Sequence, residues 1–173
     1  MKEIFTRTSI RRFAPAPVST EAVKKLLEAG MQAPSAGNQQ PWEFIVIEDA
    51  TMRRKLASTS PYAQPLINAP LGIVLLLDNS NLRFPECWQQ DLSACAQNIL
   101  LEAVHLELGA VWLAIADFPE RMAATKALLN LPEHLSVFAI IAVGHPAEKK
   151  KAVSRYQEVK AHFGEYGRHS PNL

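Results

Sequence analysis

With 173 residues, 48% of them hydrophobic and 20% charged, the chain has the composition of a single folded domain with a substantial core, and not of a disordered segment. A formal net charge of +1 gives no electrostatic case for nucleic acid as a partner. No apolar run reaches the roughly 18–20 uncharged residues that a membrane span needs, and Met1-Lys2-Glu3 opens no apolar leader, so neither a membrane nor export is expected.

Residues 2–9 read as a short helix with Ile4 and Phe5 on its apolar side, and Pro15 and Pro17 make an extended break after it. Ser19 or Thr20 then caps a helix in which Val23, Leu26, Leu27 and Met31 form an amphipathic stripe, and Pro34 stops it. A strand follows over 43–48, then a short basic helix over 50–58. Leu71 to Leu77 is a continuous apolar run between Pro70 and Asp78, which reads as a buried strand. The longest helix is expected over about 86–108, ended by Gly109 and buried nearly all round, as at the centre of a fold or a subunit interface. Ala110 to Ala116 reads as another strand. Asp117 with Glu120 has the spacing of a capping box for a helix through about Leu129. Val137 to Val143 is the fourth strand, and a helix is expected over 156–163, ahead of an irregular tail at 164–173. Strands and helices are not regularly alternated, and no G-x-G-x-x-G follows a strand, which argues against a dinucleotide-binding doubly wound fold. The expected class is α+β: a sandwich with a mixed, mostly antiparallel sheet flanked by helices and a long central helix, in one domain over 1–173.

Candidate chemistry gathers in two segments. Arg7, Ser9 and Arg11 are spaced so that an extended chain turns all of them to one side. Two guanidiniums and a hydroxyl there suit a phosphate or another anion. The second segment is Ala33-Pro34-Ser35-Ala36-Gly37-Asn38-Gln39-Gln40-Pro41-Trp42, a loop of turn and small polar residues running into the apolar strand Phe44-Ile45-Val46-Ile47. Such a loop exposes backbone N–H groups, and Gly37 lets it pass close to a ligand. Trp42 reads as a core aromatic. Cys87 and Cys95 make no Cys-x-x-Cys pair and read as reduced thiols packed on a helix, which fits a cytoplasmic location; no metal site and no catalytic role for His105, His134, His145, His162 or His169 is expected.

The loop resembles the PS-x-x-N-x-QPW signature of the nitroreductase family, and Arg7-Thr8-Ser9-Ile10-Arg11-Arg12-Phe13 resembles that family's N-terminal signature. The likeness spans about residues 2–163. It implies a homodimer with FMN sites at the subunit interface. Arg7 and Ser9 would lie near the FMN phosphate, Thr8 at a position that also contacts the cofactor, and Arg11 near the pyrimidine edge of the ring. Pro34, Ser35, Ala36, Gly37 and Asn38 would come from the other subunit along the ring. The same resemblance, more loosely, places the Gln64 amide and the main chain of Ala114, Ile115 and Ala116 at the ring, and Arg155 at the phosphate. Val153 stands where longer relatives have a Lys. The Lys149–Lys151 run reads as a solvated surface run, with supply of that missing charge as the alternative. The implied activity is ping-pong hydride transfer from NADH or NADPH to an electron-poor small molecule such as a nitroaromatic or quinone. The flavin carries the chemistry, so no catalytic side chain is expected. A flavin-binding storage or sensing protein is the competing expectation.

Overall fold

The computed structural model describes residues 2–169; the last part of the irregular tail, 170–173, lies outside the described residues. Four strands form one sheet in the order β1-β2-β4-β3: β1 (Trp42–Ile47), β2 (Leu71–Asp78), β3 (Gly109–Ala114) and β4 (Leu135–Gly144). Every neighbouring pair of these strands is antiparallel, and a parallel bridge from Ser9 to Ala110 adds to the β3 edge, in keeping with a mostly antiparallel sheet. The helices are α1 (Lys2–Thr6), α2 (Thr20–Met31), α3 (Ala50–Ala57), α4 (Pro65–Asn68), α5 (Trp88–His105) and α6 (Pro119–Leu128).

The sheet is buried on both faces. Leu71, Ile73 and Leu75 of β2 pack toward α2 and α5, where Leu26, Leu92, Cys95 and Ile99 complete one core. Val74 and Leu76 turn the other way, with Val137 and Ile140 of β4, onto Leu56 of α3 and Leu66 of α4. This two-sided burial explains why β2 and β4 read as continuous apolar runs and not as alternating ones. The β2–β4 register shifts between Leu75 and Leu76, so that Phe138 is an extra residue on β4. Its ring packs edge-on against Trp88 and Trp112, with centroids 5.9 and 5.3 Å away.

The caps show how local chemistry sets the elements. Ser19 Oγ accepts from the Ala22 N–H and opens α2, as its position implied. Asp49 does the same for α3 by accepting from the Met52 N–H. The expected capping box at α6 does not form. Asp117 sits one residue too early, at φ +65°, and both its carboxylate oxygens accept from Gln89 Nε2 at 2.9 Å; Phe118 is the N-cap and makes no side-chain cap bond. Nor does Gly109 end α5. Glu107 takes the left-handed turn at φ +58°, and the Leu108 N–H donates to Ala103 O at 2.7 Å. Gly109 opens β3 instead, where a Cβ would lie 2.7 Å from Ile10 Cγ2 of the crossing N-terminal segment.

One expectation, on α5, is met in part, and another is corrected. α5 buries Asp91, Leu92, Cys95, Ala96, Ile99, Leu100 and Ala103, but Gln90, Gln97 and His105 are exposed and Ala94, Leu101 and Val104 are only partly covered. The helix therefore has one uncovered side in the single chain. The helix expected over 156–163 is only a 3-10 turn, Glu158–Lys160. Its apolar residues Tyr156, Val159 and Phe163 are exposed, and a short helix gains most of its stability from packing that they lack here.

Candidate functional site

The N-terminal segment is laid along the outer edge of the sheet. Ser9 bridges Ala110 of β3 in a parallel sense, and the Ile10 N–H donates to Ala110 O at 3.0 Å. Ile10 and Phe13 are buried, which fixes the segment and leaves Arg7, Thr8, Ser9 and Arg11 to line a cleft of about 460 Å³. Lys150, Lys151 and Arg155 close its far side. Arg7, Ser9 and Arg11 thus border one cleft, while Thr8, which borders it too, departs from a strict alternation.

Glu148 ties the two walls together. Its Oε1 accepts from the Arg11 N–H at 2.6 Å and from the Arg12 N–H at 3.3 Å, and it lies 3.2 Å from Lys150 Nζ. Lys150 in turn donates to Ser9 O at 2.7 Å. The Arg11 N–H holds the Glu148 carboxyl below the usual carboxylate range, with Lys150 adding to the effect against the opposing cost of burial. Glu148 uses the main chain of Arg11 and leaves its guanidinium to the cleft. Lys150 and Lys151 therefore border the cleft while remaining exposed, as expected of a surface run. Sequence spacing missed this because they lie more than a hundred positions from Ser9, and only the β4-to-tail path returns them to the β3 edge.

The loop after α2 is held elsewhere, against the start of α5. Asp91, a carboxylate with 4% exposure, accepts from the Ala36 N–H at 2.9 Å and from Gln39 Nε2 at 2.6 Å. Gln39 also donates to Phe84 O and accepts from the Phe84 N–H, at 3.1 and 2.9 Å. Ser35 Oγ accepts from the Gln40 N–H at 3.0 Å. Gly37 at φ +55° lies against the Phe84 ring, so a side chain there would meet both a strained backbone and an occupied space. Pro34, Ser35, Ala36, Gly37 and Asn38 form a hydrogen-bonded, partly exposed turn, but they do not line the basic cleft of their own chain. Asp91 was not singled out from sequence. Its signal is an acid on the same helical stripe as Cys95 and Ile99, a position that only a strong partner justifies.

Ala114, Ile115 and Ala116 sit at the other end of β3. Ala110 and Ala114 are roughly 14 Å apart at about 3.4 Å per strand residue. The N–H groups of Ile115 and Ala116 both donate to Phe138 O, at 3.3 and 2.8 Å, so the β4 bulge already uses these donors. Arg121 Nη1 donates to Ala114 O at 3.3 Å. Gln64 is exposed just before α4, outside the basic cleft, and two residues from Tyr62, which faces Arg121. Cys95 is buried and its thiol is pushed up to about 12 by that burial, while Cys87 is half-buried at the turn before α5.

The arrangement provides a cationic cleft for a phosphate or similar anion, an edge strand leading away from it, and a preformed turn on another face. The Nitroreductase family model matches residues 4–60 and 57–145. An Archaeoglobus fulgidus protein provisionally named an NADH dehydrogenase/NAD(P)H nitroreductase is 42% identical, over 87% of this chain and 87% of its own length. A solved Clostridium acetobutylicum structure, provisionally named an NADH oxidase, is 46% identical with a TM-score of 0.93, covering 95% of this chain and 99% of that one. A nitroreductase from Desulfovibrio desulfuricans, also provisionally named and solved in complex with FMN, is 38% identical with a TM-score of 0.78, over 90% of each chain.

Proposed function

The chain belongs to the nitroreductase family, and on that premise we propose that it is an NAD(P)H-dependent FMN oxidoreductase that passes a hydride to an electron-poor acceptor, a nitroaromatic or a quinone, in a ping-pong cycle. The observation that carries the reading is the basic cleft. Arg7, Lys150, Lys151 and Arg155 converge beside the Thr8 and Ser9 hydroxyls, a donor set that fits the terminal phosphate of FMN, and Arg11 borders the same cleft. Bound FMN supplies the hydride-accepting and hydride-donating centre. The protein's part is to bind and orient. Arg7, Thr8, Ser9 and Arg155 hold the phosphate, with Lys150 and Lys151 standing in for the Lys that Val153 replaces. The Arg11 guanidinium places positive charge at the pyrimidine edge, where it favours the reduced form.

The loop Pro34–Asn38 and the cleft lie on separate parts of one chain, which supports a homodimer in which the loop of one copy meets the cleft of the other. The uncovered side of α5 and the exposed Phe5, Val153, Tyr156 and Val159 supply apolar surface for that contact. Ala114, Ile115, Ala116 and Gln64 remain assigned to the ring edge, with Ala114 and Gln64 exposed and the Ile115 and Ala116 N–H groups shared with Phe138 O. Free thiols at Cys87 and Cys95 fit a cytoplasmic setting.

The test is direct. The protein as purified should be yellow, release FMN and not FAD on heating, and oxidise NADH or NADPH with a quinone as acceptor. A colourless protein that cannot be reconstituted with FMN overturns the reading. A yellow protein that no nicotinamide nucleotide reduces overturns the enzyme while leaving the flavin site.

A further inference from the structure

Arg121 stands in a place that folding alone does not explain. It lies in the first turn of α6, where the helix dipole disfavours a cation, and among the described residues it has no carboxylate within ion-pair distance. Asp117, the nearest acid in sequence on the β3 side, is held by Gln89 instead. The guanidinium is stacked 3.7 Å from the Phe118 ring centroid, with the Tyr62 ring 5.5 Å away, while Nη1 donates to Ala114 O. Three segments thus fix one cation: the end of β3, the start of α6 and the loop after α3. Phe118 and Tyr62 are 45% and 73% exposed, which is a large apolar area to leave in water around a charge. An arginine oriented this way keeps donors free for an anionic oxygen, and the two rings offer faces to a planar partner.

We propose that Arg121, with Phe118 and Tyr62, is the acceptor-selecting subsite of the enzyme, and that it favours planar aromatic acceptors bearing an anionic group such as a carboxylate. This rests on the reading of Ala114–Ala116 as the edge of the flavin site, because Arg121 is anchored on Ala114 O and therefore flanks that edge. The basic cleft lies at the other end of β3, roughly 14 Å away at about 3.4 Å per residue, so Arg121 is not a further phosphate ligand of the same cleft. Electron and proton balance is that of the parent reaction: the nitro group takes the hydride and one solvent proton and loses water to give the nitroso compound, and Arg121 only holds the acceptor's anionic group.

The test compares 4-nitrobenzoate with its neutral isostere 4-nitrobenzamide in the parent holoenzyme, Arg121→Gln and Arg121→Lys. FMN content and the rate of reduction by NADH are measured first. If these are absent in the parent, the flavin reading fails, and titration calorimetry of 4-nitrobenzoate against the amide still decides whether the subsite prefers the anion. With the flavin reading intact, the parent should prefer the benzoate in kcat/KM, and Arg121→Gln should lower that preference about three- to tenfold, the span for a half-buried charge contact. Arg121→Lys should restore part of it, since the charge remains and the planar stack does not. An equal fall for both acceptors, or a parent with no preference, overturns the proposal. A changed NADPH-to-NADH ratio with an unchanged acceptor ratio also overturns it, and assigns Arg121 to the phosphate of the donor nucleotide.

Discussion

Asp91→Asn isolates the clamp that shapes the loop after α2. The carboxylate accepts two donors, the Ala36 N–H at 2.9 Å and Gln39 Nε2 at 2.6 Å. An Asn has one acceptor oxygen, so in either orientation of its amide one of those donors faces an NH2 group. Gln39 cannot relieve the conflict by turning its own amide over, because Oε1 accepts from the Phe84 N–H while Nε2 donates to Phe84 O. The turn would set donor against donor at one and acceptor against acceptor at the other. The net loss is one hydrogen bond to a charged group in a site with 4% exposure, about 1.5–3 kcal/mol. For a chain of this size about 2–4 °C of Tm goes with each kcal/mol, so the flavin-stripped variant should melt about 3–12 °C below the parent. Thermal unfolding followed by circular dichroism reads this, and Asp91→Ala, which strands both donors, should fall further. FMN affinity should drop along with it, because a loosened loop must be ordered at the moment of binding. A variant that melts within about 1 °C of the parent would refute the clamp.

Arg155→Ala should weaken FMN binding about five- to thirtyfold while leaving turnover at saturating FMN nearly unchanged; this is a charge-assisted contact worth about 1–2 kcal/mol once its exposure is discounted, and an unchanged dissociation constant removes Arg155 from the site. Glu148, held below its ordinary value of 4.5 chiefly by the Arg11 N–H, contributes stability that is fully present above 4.5 and is lost as pH falls through the lowered folded value. Melting temperature should therefore drop more steeply with acid in the parent than in Glu148→Gln, and parallel curves would count against the tie. A thiol-alkylating reagent at neutral pH should label the half-buried Cys87 and spare Cys95, whose thiol is pushed up to about 12, as peptide mapping of the native protein will show.

Where sequence reasoning worked, the determinant was local. The four strands are legible because each apolar run is bounded by a breaker or a polar residue, as β2 is by Pro70 and Asp78. The Ser19 cap is legible because a cap acts within one turn. The failures share a different cause. Asp117 and Glu120 have capping-box spacing, but a backbone at φ +65° and a partner on another element, Gln89, took the carboxylate away. Gly109 looked like a helix stop, yet its lack of a Cβ serves the Ile10 crossing, and Glu107 accepts the strained turn instead. The helix expected over 156–163 shortens to one turn because Tyr156, Val159 and Phe163 pack on nothing among the described residues of the chain. Of the candidate site, the Arg7–Arg11 segment and the loop were visible as motifs, whereas Lys150 and Lys151 reach the cleft, and Asp91 reaches the loop, only through contacts across the fold.

The edge position of β3 ties these observations together. An uncovered edge invites pairing with other chains, and proteins usually protect it with charge or cover. Here the N-terminal segment covers it at Ala110 through Ser9 and Ile10, and the basic cleft follows that cover. At the other end the Phe138 bulge on β4 draws in the Ile115 and Ala116 N–H groups and stops the ladder, and Arg121 is anchored just beside it. The strand therefore acts as a ruler, with an anion cleft at one end and an exposed Arg–aromatic cluster at the other. A cofactor with a phosphate at one end and a planar ring at the other matches that layout.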